Sequence, residues 1–302
     1  MKVFVTGGTG FIGLYVVREL SKRGHKLLIL SNQSKNQTLD FPKTVEFVEG
    51  DLGNIESWKF NVKSFQPEAT VHMAWEGIPD YRVKASIRNL KYGLNLFQEL
   101  VELRCKKIIC TGSCWEYGQN QGKLSEDSLI RPSNAFTAAK NALHWLGREI
   151  TKESNTQFIW TRLFYVYGPG QRENSLIPYI IKCTKEGKKP KIRTSFVKND
   201  FVYAEDVASA ITMILRKCKQ STIYNIGSGH SNSVKEVVNM VYDSLKIKNE
   251  FGVDSICKDE ALCEDYWADI SKFEMEIGWE PKTNIHDGIK KTIDYVIKNN
   301  NK

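Results

Sequence analysis

The sequence of 302 residues has no apolar run close to the ~18 residues that a membrane-spanning helix needs. It also lacks a basic segment followed by an apolar one at its start, because the short apolar run of residues 3–5 leads straight into glycines. We therefore expect neither a membrane span nor a signal peptide, and we predict a cytoplasmic protein. Hydrophobic residues make up 41% of the chain and charged residues 26%, which excludes wholesale disorder.

No C-x-x-C pair occurs, and the five histidines are scattered along the chain. The cysteines number seven, an odd count, and most of them lie in apolar or helical patterns. These patterns disfavour both a disulfide scaffold and a zinc site. We predict buried, reduced thiols and no metal site.

The chain also lacks a long basic stripe. Lysine and arginine outnumber aspartate and glutamate by 43 to 35, which leaves a net charge of +8 and favours anionic ligands. The longest basic patches, residues 185–189 and 246–248, are short for a nucleic-acid surface. We therefore expect diphosphate-bearing small molecules rather than nucleic acid.

The first half of the chain alternates between apolar, β-branched runs and stretches with helical periodicity. Strands separated by helices are typical of parallel βαβ units in a doubly wound α/β sheet. The predicted strands are residues 2–6, 25–30, 45–49, 69–73, 107–110 and 157–163, and the predicted helices are residues 11–23, 55–64, 87–103 and 137–154.

The second half is more mixed, because glycine and proline interrupt residues 167–191. Two strand-like segments, residues 200–203 and 222–226, are candidates to return to the first sheet. Residues 234–245 and 286–298 have helical periodicity.

A glycine-rich turn stands between the first predicted strand and the first predicted helix, where residues 6–13 read TGGTGFIG. Gly7 allows the tight turn, Gly10 lets backbone amides approach a pyrophosphate, and Gly13 lets the helix pack closely on the strand. The helix N-terminus then presents free N–H groups and the positive end of its dipole to the anion. Strand, turn and helix in this order predict a Rossmann fold that binds a nicotinamide dinucleotide.

The end of the second predicted strand bears on which dinucleotide binds. NAD-binding units usually carry an acidic residue there for the ribose 2′-hydroxyl, whereas this chain has residues 30–35, LSNQSK, with no acid. Ser31, Asn32 and Lys35 suit a 2′-phosphate, which a carboxylate would repel. We predict NADP(H) in preference to NAD(H).

At this point the sequence resembles the extended short-chain dehydrogenases/reductases, the family of nucleotide-sugar epimerases, dehydratases and 4-keto reductases. The resemblance covers nearly the whole chain. It rests on the glycine turn and on later segments in the family's order: GDL at 50–52, VHMAW at 71–75, TGSCWEYG at 111–118, LFYVYGPGQ at 163–171, NDFVY at 199–203, YNIGSG at 224–229 and GWEP at 278–281.

The resemblance implies a division of labour along the chain. Residues 1–167 would form the dinucleotide-binding domain, with residues 200–229 returning to it, and residues 168–199 and 230–302 would form a smaller mixed domain for a nucleotide sugar. Asp51 would hydrogen-bond the adenine. Besides the residues already named, the implied cofactor contacts are Thr9, Phe11, Ile12, Leu52, Met73, Ala74 and Lys140.

The family's catalytic pair is Tyr-x-x-x-Lys on one face of a helix, and here only half of the pair is present. The lysine position holds Lys140, but the tyrosine position holds Phe136, which has no proton to transfer. Three interpretations stay open. Phe136 is an engineered replacement that keeps the ring; or another hydroxyl supplies the proton; or the protein binds a nucleotide sugar without turnover. The hydroxyls considered as replacements are those of Ser113, Tyr117, Tyr81 and Tyr165.

Ser113 matches the family's hydroxyl that bonds the reacting oxygen, which makes Ser113, Phe136 and Lys140 the predicted catalytic positions. Dehydratases carry an Asp-Glu pair just after that serine, whereas this chain has Cys114 and Trp115, which cannot perform an acid–base elimination. Dehydration is therefore disfavoured. We predict an NADPH-dependent reductase of a nucleotide-linked 4-keto-deoxysugar, with an NAD-dependent 4-epimerase as the alternative.

The resemblance also indicates where the sugar nucleotide and a second copy of the chain would bind. Two long helices, predicted at residues 87–103 and 137–154, would pair across a twofold axis as a four-helix bundle in a homodimer. The predicted substrate-binding residues are Trp75, Tyr81, Cys114, Trp115, Tyr165, Arg172, Asn174, Ser175 and Leu176.

Overall fold

A computed structural model describes residues 1–32, 41, 44–192, 195–247, 254–255 and 265–299. Its strands, in chain order, are β1 (Lys2–Thr6), β2 (Lys26–Ser31), β3 (Val45–Glu49), β4 (Ala69–His72), β5 (Lys107–Ser113), β6 (Gln121–Leu124), β7 (Gln157–Leu163), β8 (Tyr165–Tyr167), β9 (Lys191–Ile192), β10 (Lys198–Asn199), β11 (Phe201–Tyr203), β12 (Thr222–Ile226), β13 (Asn232–Ser233), β14 (Asp254–Ser255) and β15 (Asp265–Ala268).

Nine α-helices are present in the described ranges, with short 3-10 turns at Ile55–Ser57 and Cys114–Tyr117. The α-helices are α1 (Phe11–Lys22), α2 (Lys59–Phe65), α3 (Val83–Glu102), α4 (Ala135–Lys152), α5 (Leu176–Lys185), α6 (Ala204–Lys217), α7 (Val234–Ser244), α8 (Ser271–Ile277) and α9 (Ile285–Asn299).

Seven of the strands form one sheet in the order β12-β7-β5-β4-β1-β2-β3, and every pairing in it is parallel. The carboxyl ends of parallel strands lie at one edge of a sheet. The strand order reverses between β1 and β4, and ligands of doubly wound folds bind in the crevice at such a switch point. The predicted doubly wound α/β fold is confirmed.

Apolar helix faces cover both sides of this sheet. One cluster of fully buried side chains joins β1 to α1 and α6, for example through Val5, Val17 and Ile211. A second cluster joins the other face to α3 and α4, for example through Leu96 and Leu143. The central strands are buried on both faces, as expected where helices lie above and below a parallel sheet.

The remaining strands form smaller sheets. A four-stranded mixed sheet has the order β13-β10-β15-β6. Of the two segments considered as returning to the first sheet, β12 joins it beside β7. The other, β11, pairs with β8 in a separate two-stranded sheet instead. Residues 165–167 follow β7 after Phe164 and pair in parallel with residues 201–203.

Several helix boundaries differ from the sequence prediction. The helix predicted from residue 87 begins four positions earlier, at Val83, and the residue before it, Arg82, is an extended N-cap residue. The helix predicted at residues 55–64 is a 3-10 turn followed by α2, since the buried Trp58 interrupts it. None of the helices in the described part of the chain is both long and apolar enough to cross a membrane.

Candidate functional site

The glycine turn lies at the switch point and is built as predicted. Gly7 has a positive φ of 74°, and a Cβ added there would lie 2.7 Å from the backbone nitrogen of Ala74. A Cβ on Gly13 would collide with the carbonyl oxygen of Gly7. Gly10 caps α1, and its missing Cβ would meet only that same oxygen, at 3.3 Å. The turn therefore leaves an open cradle above the N-terminus of α1.

A cavity of about 200 Å³ opens over this cradle. Among the predicted cofactor residues, those that line it are Gly7, Thr9, Gly10, Ser31, Asn32, Asp51, Leu52 and Ala74. Phe11, Ile12 and Gly13 form the first turn of α1, and Met73 follows β4. Lys35 falls outside the described residues. The Asp51 carboxylate accepts a bond from the Gly53 amide at 2.6 Å, so it shapes its own turn as well as the cavity.

Sequence reasoning missed several wall residues of this cavity. Tyr92 on α3 lines it and packs against Gly53, where a Cβ would meet the phenol ring. Glu76 also lines it, with its backbone amide bonded to the side chain of Asn89 at 2.7 Å. A tyrosine in the middle of a long helix is usually a core residue. No local sequence pattern therefore predicts that Tyr92 lines a binding cavity.

Lys140 is buried on α4, and its Nζ donates to the carbonyl oxygen of Thr111 on β5 at 2.7 Å. The ammonium lies 4.2 Å from the ring centre of Trp75. Burial lowers the pKa of Lys140, while Cys110 and Glu116 act in the opposite direction. Trp75 lines the cavity, whereas Lys140 is not among its described lining residues.

Phe136, one helical turn before Lys140, is also buried. Three aromatic side chains surround its ring: Tyr81 at 5.1 Å, Trp75 at 5.2 Å and Trp115 at 6.1 Å between centroids. Tyr81 also packs on Trp115 at 5.3 Å. The structure thus brings four predicted site residues together as one group, which we call the aromatic cluster: Trp75, Tyr81, Trp115 and Phe136.

Ser113 ends β5 and caps the 3-10 turn that follows. Its Oγ accepts from the Trp115 amide at 3.2 Å, and its own amide donates to Glu116 at 2.8 Å. Glu116 is fully buried and also accepts from Trp160 and, at 3.0 Å, from Arg162. Glu116 therefore holds Ser113 in place from within the protein and is closed to substrate.

Tyr165 and Cys114 lie beside the aromatic cluster. The Tyr165 hydroxyl accepts from the Trp115 indole at 3.1 Å and lies 3.4 Å from the hydroxyl of Tyr266. Cys114 is buried, with its thiol 3.9 Å from that second hydroxyl. The structure therefore places the thiol of Cys114 in a small apolar group rather than at an open surface.

The segment expected to hold a sugar nucleotide lies at the start of α5. Ser175 is the N-cap residue of α5, Leu176 begins it, and Asn174 is exposed just before it. Arg172 is exposed and donates to the carbonyl oxygen of Ile78 at 2.7 Å. The Tyr15 hydroxyl on α1 donates to the carbonyl oxygen of Pro169 at 2.7 Å, which ties this segment to the glycine turn's own helix.

The fold and the turn define a protein of the extended short-chain dehydrogenase/reductase class. The family model described as "NAD dependent epimerase/dehydratase family" matches residues 3–227, and the chain belongs to that family.

Two curated relatives illustrate the family's chemistry. The chain is 28% identical over 309 residues to dTDP-4-dehydro-6-deoxyglucose reductase of Escherichia coli, covering 96% of each chain. It is 27% identical over 259 residues to dTDP-6-deoxy-L-talose 4-dehydrogenase (NAD(+)) of Aggregatibacter actinomycetemcomitans, covering 84% of this chain and 94% of the relative.

The fold is also that of solved structures. UDP-glucose 4-epimerase of Thermotoga maritima with UDP-glucose superposes with a TM-score of 0.89 at 23% identity, covering 99% of each chain. Other structures of this fold were solved in complex with NAD. Proteins named as nucleotide-sugar reductases, dehydrogenases, dehydratases and epimerases are among those that the chain is similar to.

Proposed function

We propose that this protein is an NADPH-dependent reductase of a nucleotide-linked 4-keto-deoxysugar. The observation that carries the proposal is the group at the carboxyl end of β5: Lys140 on the Thr111 carbonyl, Ser113 at the strand end, and no free acid–base pair after it. Both curated relatives described above are named for oxidation or reduction at C4 of a 6-deoxyhexose.

The residues fit a dinucleotide. The cradle over Gly7 and Gly10 is open because neither carries a Cβ, and backbone amides at the start of α1 can receive the pyrophosphate. Asp51 and Leu52 line the same cavity where the adenosine would lie. When bound, the reduced cofactor supplies the hydride.

The preference for NADP(H) rests on the end of β2. Ser31 and Asn32 line the cavity there, and neither is acidic. A hydroxyl and an amide donate to a 2′-phosphate without the repulsion that a carboxylate would cause. Lys35, just beyond, adds positive charge in the sequence.

Dehydration is disfavoured by the site. An elimination needs an acid and a base at the positions of Cys114 and Trp115, and neither side chain can serve. Glu116 is the nearest carboxylate in the segment, but three donors inside the protein hold it: the Ser113 amide, Trp160 and Arg162. It cannot reach a leaving hydroxyl.

Phe136 bears on how the proton is supplied. Its ring packs edge-to-face on Trp75. Trp75 stands where the corresponding segment of the family that the sequence resembles has a small residue. Two departures that contact each other support a site rebuilt around a phenyl ring rather than an engineered loss of a hydroxyl. In this arrangement Lys140 and Ser113 position the reactants, and the proton comes from elsewhere.

The substrate and assembly proposals follow from placement. A sugar diphosphate would meet Arg172 and the amides at the start of α5, with the sugar directed to the aromatic cluster.

The exposed apolar residues Val83, Ile87, Trp145 and Leu146 lie on α3 and α4, which pack together. We propose that these faces pair in a homodimer, which light scattering of the purified protein tests.

The experiment mixes the protein with dTDP-4-dehydro-6-deoxyglucose and NADPH, and then with NADH. A reductase oxidises one NADPH for each sugar reduced, as measured by cofactor absorbance and by mass spectrometry of the product. A 4-epimerase interconverts 4-hydroxy sugar nucleotides without net cofactor oxidation, and a binding protein gives heat of binding but no product. Either of the last two results overturns the proposal.

A further inference from the structure

The aromatic cluster contains one phenol. The Phe136 ring has three aromatic neighbours, and of these only Tyr81, at 5.1 Å, carries a hydroxyl that can ionise. We propose that Tyr81 is the catalytic acid of this site and donates the proton that residue 136 cannot give. The inference rests on the reductase function proposed above and selects among the four hydroxyls considered from the sequence.

Tyr117 is closed to substrate. Its side chain is fully buried, and its hydroxyl lies within hydrogen-bond distance of Asn225 at 2.7 Å and of the Ser125 carbonyl at 3.0 Å. Arg162 donates to the same oxygen at 3.1 Å. Burial raises the pKa of Tyr117 to about 12, which also makes it a poor acid.

Ser113 and Tyr165 each accept a hydrogen bond from Trp115, which fixes their oxygens beside that residue. The Ser113 Oγ accepts from the Trp115 amide, and the Tyr165 hydroxyl accepts from the Trp115 indole. Ser113 is also an aliphatic alcohol, which is a far weaker acid than a phenol. It suits a hydrogen bond to the reacting oxygen better than delivery of a proton to it.

The Tyr81 hydroxyl differs from these three in its hydrogen bonding. Over the ranges that the structure describes, no group of the chain pairs with it, although its ring packs on Phe136 and Trp115. The side chain is half-buried, so part of it stays open to solvent and to ligand. The Tyr81 oxygen is therefore available to a substrate oxygen that comes within hydrogen-bond reach, which proton transfer requires.

The backbone around Tyr81 is held on both sides. Before it, the Asp80 amide donates to the Gly77 carbonyl at 2.7 Å, and Gly77 has a positive φ of 87° that suits the turn. After it, Arg82 pairs with Asp80 through two bonds of 2.9 Å. Ser86 donates to the Tyr81 carbonyl at 3.4 Å. The turn that carries Tyr81 is therefore tied by hydrogen bonds on both sides of the residue.

A hydrogen bond joins the segment before α5 to the turn that carries Tyr81. Arg172 donates to the carbonyl of Ile78, three residues before Tyr81. The segment that would hold the sugar diphosphate and the turn that carries the phenol are therefore in direct contact. Tyr81 therefore lies on a turn that contacts both Arg172, through Ile78, and Phe136, through its own ring.

The proton balance of the step is complete. The reduced nicotinamide, when bound, would supply the hydride for the new C–H bond at the keto carbon, and the electron pair of the C=O π bond would pass to oxygen. The Tyr81 O–H bond breaks, and its proton goes to that oxygen to give the alcohol. The Tyr81 phenolate regains a proton from water, so each turnover consumes one NADPH and one proton.

The test compares four proteins with dTDP-4-dehydro-6-deoxyglucose and NADPH: wild type, Tyr81→Phe, Phe136→Tyr and the double variant. General acids contribute about 100- to 10,000-fold to rate, so Tyr81→Phe is expected to lower kcat at least about 100-fold with little change in KM. The solvent isotope effect on kcat should change with it. The double variant should regain activity, because it returns a phenol to the cluster. Tyr295→Phe, on the exposed Tyr295 of α9, is the matched control.

The outcomes separate the two proposals. Tyr81→Phe with kcat within threefold of wild type overturns the role of Tyr81 and leaves the reductase intact. An inactive wild type that becomes active as Phe136→Tyr also overturns Tyr81 and supports a lost tyrosine at 136. If wild type and Phe136→Tyr both bind the sugar nucleotide without turnover, the proposed reductase function is wrong. The proposed role of Tyr81 is then wrong as well. Thermal unfolding of each variant tests whether the fold tolerates the removal or addition of one phenolic oxygen.

Discussion

The Nζ of Lys140 lies 4.2 Å from the centre of the Trp75 ring, although 65 positions separate the two residues in the chain. A buried ammonium over an indole face gains roughly 2 kcal/mol when it is shielded from water. The Lys140 ammonium also donates a hydrogen bond to the Thr111 carbonyl, which carries no charge. Trp75 is therefore as much a part of the lysine's environment as its hydrogen bond is.

We expect Trp75→Leu to lower kcat about tenfold more than Trp75→Phe does. Both variants shorten the side chain and keep it apolar, but only phenylalanine keeps a π face for the Lys140 ammonium. Steady-state kinetics, with urea unfolding to match the stabilities of the two variants, is the measurement. Equal kcat values for the two would show that the aromatic face does not position Lys140.

The glycine cradle gives a binding prediction. Gly10→Ala adds a methyl group whose nearest described neighbour is the Gly7 oxygen at 3.3 Å, so the fold should tolerate it to within about 1 kcal/mol. In the proposed function, the same methyl group would stand where the pyrophosphate approaches. We expect the dinucleotide Kd to rise at least about tenfold, as measured by calorimetry.

Gly24→Ala is the control for that variant. Gly24 has a positive φ of 80° and no atom within 4 Å of an added Cβ, and it lies at the far end of α1. It should cost about 1 kcal/mol of stability and leave the Kd unchanged. Equal Kd values for the two variants would contradict the placement of the pyrophosphate.

The Glu116–Arg162 pair gives a stability prediction. Its 3.0 Å contact is buried on both sides, so removing one partner strands the other charge. We expect Glu116→Ala to lower the free energy of unfolding by about 3–5 kcal/mol. The double variant with Arg162→Met should cost less than the two single variants added together. Additive costs in urea denaturation would mean that the two side chains do not act as a pair.

Two buried histidines predict the acid side of the stability curve. Burial lowers the pKa of His72 to about 3 and that of His144 to about 4, from an ordinary 6.5. Below pH 6.5 the unfolded chain takes up protons that the folded chain does not, so stability falls as pH falls. Between pH 7 and 5 each histidine should account for about 1–2 kcal/mol of the loss.

His144→Gln tests the contribution of His144 to this loss of stability, because glutamine does not titrate. Its free energy of unfolding should depend less steeply on pH over this range than that of wild type, by roughly the share of one histidine. Urea denaturation at pH 7 and 5 measures both proteins. An unchanged pH dependence would mean that His144 is protonated in the folded state.

Local sequence patterns were sufficient for most of the sheet. The strands at 2–6, 45–49 and 157–163 have the predicted bounds, because each is a short segment rich in β-branched and aromatic residues. The glycine turn was predictable for the same reason, since strand, turn and helix are contiguous. The helix α6 had no prediction, although the segment before it was noted as a family landmark.

Contacts between distant segments were beyond local patterns. Nothing near Trp75 in the sequence indicates that its ring covers Lys140, and nothing near Phe201 indicates that β11 pairs with β8. Tyr81 was one of four candidate hydroxyls, and its place beside Phe136 depends on the packing of the turn before α3 against the start of α4. Such juxtapositions arise only when the chain is folded.

The bond from the Tyr15 hydroxyl to the Pro169 carbonyl has a consequence for engineering. A designer who transplants a relative's segment beyond Pro169 to alter which sugar is accepted would also be replacing an anchor of α1. Such a chimera should keep Tyr15 and a matching carbonyl acceptor. Otherwise it loses the hydrogen bond that joins α1 to the segment beginning at Pro169.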